Sequence, residues 1–134
     1  MWIEIDIEPA TESDLHGHFS CTVQKVEESG LSIATCKVYS GVRFIEETVE
    51  KKWSKNLPNT FLQELQNILN SSSIQLNDQA EGMVMHCAKC SLCIKGMQHN
   101  LVFEWQNCPV SWLPLKAWLK NIINNLIPEY SKCI

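Results

Sequence analysis

Three evenly spaced thiols, Cys87-x-x-Cys90-x-x-Cys93, are the residues of this chain with metal chemistry within reach. Thiolates two residues apart converge on a soft ion when the backbone curls around it. Cys108 would supply a fourth sulfur, which makes Cys87, Cys90, Cys93 and Cys108 the candidate ligand set for zinc or an iron–sulfur cluster. Tight curling needs glycine or proline between the ligands. The intervening residues are Ala88-Lys89 and Ser91-Leu92, which supply neither.

Cys108-Pro109 has the local form of the remote ligand in bacterial ferredoxin clusters, but that pattern also wants a fourth Cys close after the third, and Met97 stands nearest. The same stretch has a second reading as sheet. Met83 to Cys87 and Leu92 to Met97 are strand-like runs about a turn at Ala88 to Ser91, and Leu101 to Trp105 follows a turn at Gln98 to Asn100. Cysteine is often buried and packs as a small hydrophobe. Cys87 and Cys93 would then fill the core, with Cys90 near a hairpin tip. The sheet reading is preferred, so no cofactor is expected and zinc or iron–sulfur is the alternative.

Other groups give weaker signals. Glu4, Asp6 and Glu8 share one face of the first strand and could steer a basic partner, although a solvated strand face accounts for them as well. His16-Gly17-His18 places two imidazoles close together without a third ligand. His86 sits inside an apolar run and reads as a hydrogen-bonded core histidine. The chain contains no G-x-S-x-G turn, and its five glycines are scattered singly, so it has no phosphate-cradling loop. No enzyme is expected.

The elements that must position these residues follow from periodicity. At 134 residues the chain suits one domain, read as residues 1–128 with a loose tail over 129–134. A net charge of −4 disfavours nucleic acid and anionic membrane as partners. No basic-then-apolar leader opens the chain, and no run approaches the ~20 apolar residues of a membrane span. Seven cysteines in such a chain suggest reduced thiols in a cytoplasm.

Ile3, Ile5 and Ile7 alternate with Trp2, Glu4, Asp6 and Glu8, the pattern of a half-buried strand. Strands over Gly17 to Glu27 and Leu31 to Tyr39 follow, with a turn at Ser29-Gly30, and Val42 to Val49 reads as a fourth. Glu46 to Lys55 reads as a charged edge anchored by Trp53. Phe61, Leu62, Leu65, Ile68 and Leu69 form an apolar stripe, predicting a helix over Pro58 to Asn70. A polar link with a short strand at Ile74 to Leu76 leads back to the cysteine strands. Leu115, Trp118, Leu119, Ile122, Ile123 and Leu126 predict a second helix over Trp112 to Ile127, with Ser111 as its N-cap and Pro128 as its stop. The expected fold is α+β: a single curved antiparallel sheet of about seven strands, order ββββαβββα, with both helices on one face.

The second half, from Val42 to Leu126, resembles small bacterial α+β proteins of the immunity type. The likeness lies in the helix at Phe61-Leu62-Gln63-Glu64-Leu65, the Gly-led strand pair, Leu101-Val102-Phe103-Glu104-Trp105 and the Leu-rich last helix. Such proteins protect a producing cell by binding a secreted polymorphic toxin. The resemblance implies a non-enzymatic protein-binding module. A small-ligand carrier is a further alternative, because a curved sheet under two helices can enclose a pocket.

Overall fold

The computed structural model describes residues 1–10, 17–26, 29–41, 45–71, 73–80, 87–96 and 100–134. Its strands are β1 (Trp2–Glu8), β2 (Phe19–Lys25), β3 (Leu31–Ser40), β4 (Thr48–Pro58), β5 (Lys89–Lys95) and β6 (Leu101–Trp105). Its helices are α1 (Thr60–Asn70), α2 (Leu113–Leu126) and α3 (Pro128–Ser131), with a 3-10 turn over Val110–Trp112. The fold is α+β. Among the described residues six strands, not about seven, form one antiparallel sheet in the order β4-β3-β2-β1-β5-β6.

β1 sits at the centre because its alternation suits a strand paired on both sides. Ile5 lies opposite Cys21 on β2 and Leu92 on β5. Ile3, Ile5 and Ile7 are completely buried. Truncating any of them to Ala would leave a cavity worth about 2–5 kcal/mol. The inner face continues sideways through Cys36, Leu57, Leu92, Ile94, Phe103 and Trp105.

The helices cover that face. Phe103 and Trp105 meet Trp112 edge-on, and Phe19 packs against Tyr130 of α3. Leu62 and Leu65 of α1 join the same core as Leu115, Leu119 and Ile122 of α2. The two helices are tied where the Trp118 indole N–H donates to the Phe61 carbonyl at 2.8 Å. Lys55 on the edge strand β4 reaches the last turn of α2, donating to the Asn125 carbonyl at 2.7 Å. A cation there complements the negative end of the helix.

Several boundaries differ from the sequence expectation. The fourth strand is Thr48–Pro58, later than Val42 to Val49, of which residues 42–44 lie outside the described set. It runs through the stretch read as a charged edge. Only Leu57 is fully buried and Trp53 half-buried, so an edge strand of lysines and glutamates carries almost no alternation. Lysines on an edge also deter pairing with a second chain. Pro58 closes this strand and does not open α1, which starts at Thr60.

Ile74 to Leu76 forms no strand. Ser111 is not an N-cap: it lies within the 3-10 turn, and its N–H and hydroxyl both donate to Asp78 Oδ2, at 3.1 and 2.6 Å. The chain from Glu129 onward, expected as a loose tail, enters α3, where Tyr130 and Ser131 are buried. The Tyr130 hydroxyl donates to the Gly17 carbonyl at 2.8 Å, which anchors the C-terminal segment to the start of β2. The expected strand over Met83 to Cys87 falls almost wholly outside the described residues, as do His16, His86 and most of the Gln98 to Asn100 turn.

Candidate functional site

The cysteine stretch is folded as strand. Lys89–Lys95 pairs with β1 on one side and β6 on the other, and its burial alternates strictly. Side chains in a strand alternate in direction, so residues three apart point to opposite faces. Cys90 is accordingly buried on the inner face, between Ile7 and Trp105. Cys93 is half-buried on the outer face, between Glu4 and Val102. Cys90, expected near a hairpin tip, is therefore core, and Cys93, expected as core filler, lies on the outer face. Cys87 lies half-buried just ahead of the strand, and Cys108 is half-buried beyond β6.

The pleat therefore keeps Cys93 from meeting Cys90 at a common centre. Among the described residues no group of three or more His, Cys, Asp or Glu side chains is arranged to hold a metal ion. Burial pushes the Cys90 thiol up to about 12, with the nearby Cys108 sulfur adding to the effect. The Cys108 thiol is raised as well, again chiefly by burial. Both environments disfavour the thiolate that metal binding requires.

The outer face of the sheet offers more. No helix packs against it among the described residues. One row of strand partners runs Val102, Cys93, Glu4, Thr22, Thr35 and Ser54 across all six strands. The next runs Glu104, Ser91, Asp6, Ser20, Lys37 and Lys52. Carboxylates thus occupy the β6 and β1 side of that row, and lysines the β3 and β4 side. Large apolar side chains interrupt the polar surface, among them Trp2, Leu31 and Ile33, each 39% exposed, and Val102, 58% exposed. Trp2 and Ile33 flank Gln24 in a third row.

The three predicted carboxylates all belong to this face, but they are not a bare acidic strip. Lys95 Nζ donates to Glu4 Oε1 at 3.1 Å and lies 5.2 Å from the centre of the Trp2 ring. Asp6 is 3.7 Å from His18 Nε2. Glu8 stands opposite Lys89 in the strand register. An exposed pair such as Glu4–Lys95 contributes little stability, about 0–1 kcal/mol, so its main effect is to shape the charge pattern.

At one end of the face the chain closes over His18. Its imidazole stacks on the Tyr39 ring, with centroids 4.2 Å apart and planes 4° from parallel. Nδ1 lies 2.6 Å from Glu47 Oε2, out of line for a hydrogen bond, so the contact is electrostatic. With 8% of the residue exposed and a carboxylate near each nitrogen, His18 holds the segment before β4 to the sheet. The sequence reading had paired His18 with His16, and nothing local pointed to Glu47, 29 positions further along.

On the inner side, a shallow open depression of about 390 Å³ lies where β3 and β4 approach the C-terminal segment. Val38, Ile127 and Tyr130 line it together with the charged Glu50, Lys51 and Glu129. It is not the enclosed apolar chamber that a small-ligand carrier uses. Among the described residues no helix is long and apolar enough to cross a membrane. No protein-family model matches the chain, and no curated protein matches it.

Proposed function

We propose that this protein is a non-enzymatic binding module and that the open face of its sheet receives a protein partner. The observation that carries this reading is the exposure of Trp2, Ile33 and Val102 on a face against which no helix packs among the described residues. Exposed aromatic and aliphatic groups set among charges form the usual centre of a protein interface. Along one row of the face the carboxylates of Glu104 and Asp6 stand at one end and Lys37 and Lys52 at the other, while Glu4 is paired with Lys95. A partner of matching charge would be oriented by that pattern. In its more specific form the proposal is a toxin-neutralising immunity protein. That form draws on the pattern likeness of the second half.

The test uses the partner that copurifies with the tagged full chain from its native cells. Trp2→Ala combined with Val102→Glu should weaken its binding by tenfold or more. Leu76→Ala and Val110→Ala, at exposed positions off this face, should leave binding unchanged. Equal binding by the face variant and the wild type would remove the proposed surface. Survival of toxin-expressing cells on co-expression of the chain would support the immunity form, and growth arrest despite tight binding would count against it.

A further inference from the structure

We propose that Cys21 and Cys36 form a redox-active thiol pair that a small peroxide converts into a cross-strand disulfide. The two residues are direct partners in the β2–β3 register, and their sulfur atoms lie 3.6 Å apart. Among the five other cysteines none has a sulfur partner among the described hydrogen bonds. Thiols held side by side need only a small approach to reach the ~2.05 Å of a disulfide bond. The pair lies one strand in from the sheet edge, since β3 is flanked by the edge strand β4. Edge strands open more readily than central ones, which gives a small oxidant access to a pair that is buried at rest.

The two sulfurs are not equivalent. The sulfur–sulfur hydrogen bond shared with Cys21 holds the Cys36 thiol below its ordinary value, burial opposes that, and the Lys55 charge adds to the lowering. The same hydrogen bond, together with burial, pushes Cys21 far up. Cys36 is therefore the attacking thiolate and Cys21 the resolving thiol. In the first step the Cys36 sulfur attacks peroxide: an S–O bond forms, the O–O bond breaks and hydroxide leaves, giving a sulfenic acid. In the second the Cys21 sulfur attacks that sulfur: the S–S bond forms, the S–O bond breaks, and hydroxide departs as water with the Cys21 proton. Two thiols and one hydrogen peroxide yield one disulfide and two waters. The site is independent of the partner-binding face, because both side chains point into the core.

The experiment treats the folded full chain with a few equivalents of hydrogen peroxide, removes the excess, alkylates the free thiols in denaturant and digests without reductant. Trypsin cuts after Lys25, so Cys21 and Cys36 fall on separate peptides, residues 1–25 and 26–37. The expected product is those two peptides joined, and released by dithiothreitol. Cys36→Ala should abolish the product and leave Cys21 alkylated. The wild-type digest decides the matter even if that variant folds poorly. Recovery of Cys21 and Cys36 fully alkylated, while other cysteines have been oxidised, would overturn the proposal. So would sulfinic acid at Cys36 without the joined peptide.

Discussion

Cys90 and Cys93, three residues apart on β5, face opposite sides of the sheet: the first is 1% exposed beside Trp105, the second half-buried beside Glu4. Their spacing resembles that of ligands, and their geometry is that of a pleat. The difference separates two substitutions that look alike in the sequence. Cys90→Ser would bury a hydroxyl in an apolar pocket and should cost about 1–3 kcal/mol in denaturant unfolding. Cys93→Ser should stay within about 0.5 kcal/mol of the wild type. Equal losses would mean that the two thiols share a structural role, as ligands of one ion would.

The buried Cys90 thiol also predicts an alkaline limit. Its folded value is raised to about 12, above the ordinary thiol value near 8.5 that applies in the unfolded chain. A group raised in this way contributes its full stability below the unfolded value and loses it as pH climbs towards the folded one. Stability should therefore fall by about 1.4 kcal/mol per pH unit from this thiol between roughly pH 8.5 and 12. Cys90→Ala should remove that slope from the pH dependence of the unfolding midpoint, at the cost of a lower plateau.

Asp78 predicts the opposite sign in acid. The Ser111 hydroxyl, and then the Ser111 N–H, hold its carboxyl below the usual range. Its contribution is complete above the unfolded carboxyl value, about 3.9, and disappears as pH falls through the lower folded value. The carboxylate ties the 74–78 segment to the 3-10 turn ahead of α2, where Trp112 Nε1 also donates to the Gln75 carbonyl at 2.7 Å. Asp78→Asn should flatten the acid limb of the stability profile below about pH 4. It should also raise amide exchange at Ser111 without unfolding the core.

Gly17 predicts a strict size limit. Its φ of +152° is a backbone conformation that L side chains rarely adopt, and a Cβ there would overlap the Tyr39 carbonyl oxygen. Its own carbonyl accepts the Tyr130 hydroxyl. Gly17→Ala should therefore cost on the order of 1–3 kcal/mol through backbone strain and displacement of Tyr39. Tyr130→Phe, which removes the hydrogen bond alone, should cost about 0.5–1.5 kcal/mol. Both values come from denaturant unfolding. A Gly17→Ala chain as stable as the wild type would show that β3 yields freely at this point.

The parts of the fold legible in the sequence are those where one periodicity dominates. Ile3-x-Ile5-x-Ile7 announced the central strand, and Leu115, Trp118, Leu119, Ile122 and Ile123 announced α2. The α+β class and the helices on one face followed from these. β4 was misplaced because an edge strand exposed on most sides needs few apolar residues, so the stretch holding Lys51, Lys52 and Lys55 read as a charged edge after the fourth strand and not as the strand itself. α3 was missed because a four-residue helix has no period, and its anchor, Tyr130 on Gly17, spans 113 positions. Of the candidate site, the carboxylate face of β1 was visible. Trp2, on the polar side of an alternating strand, was the available signal that this face does more than meet water. Its neighbours Ile33 and Val102 joined it only through strand pairing.

The central claim, that the open sheet face is the binding surface, is tested most directly by radical footprinting of the full chain with and without its copurified partner. The account predicts that labelling of Trp2 and Val102 falls several-fold in the complex, while Val110 and Leu113 on the helix side label as before. Unchanged labelling of Trp2 and Val102, with protection at Val110 and Leu113, would contradict it.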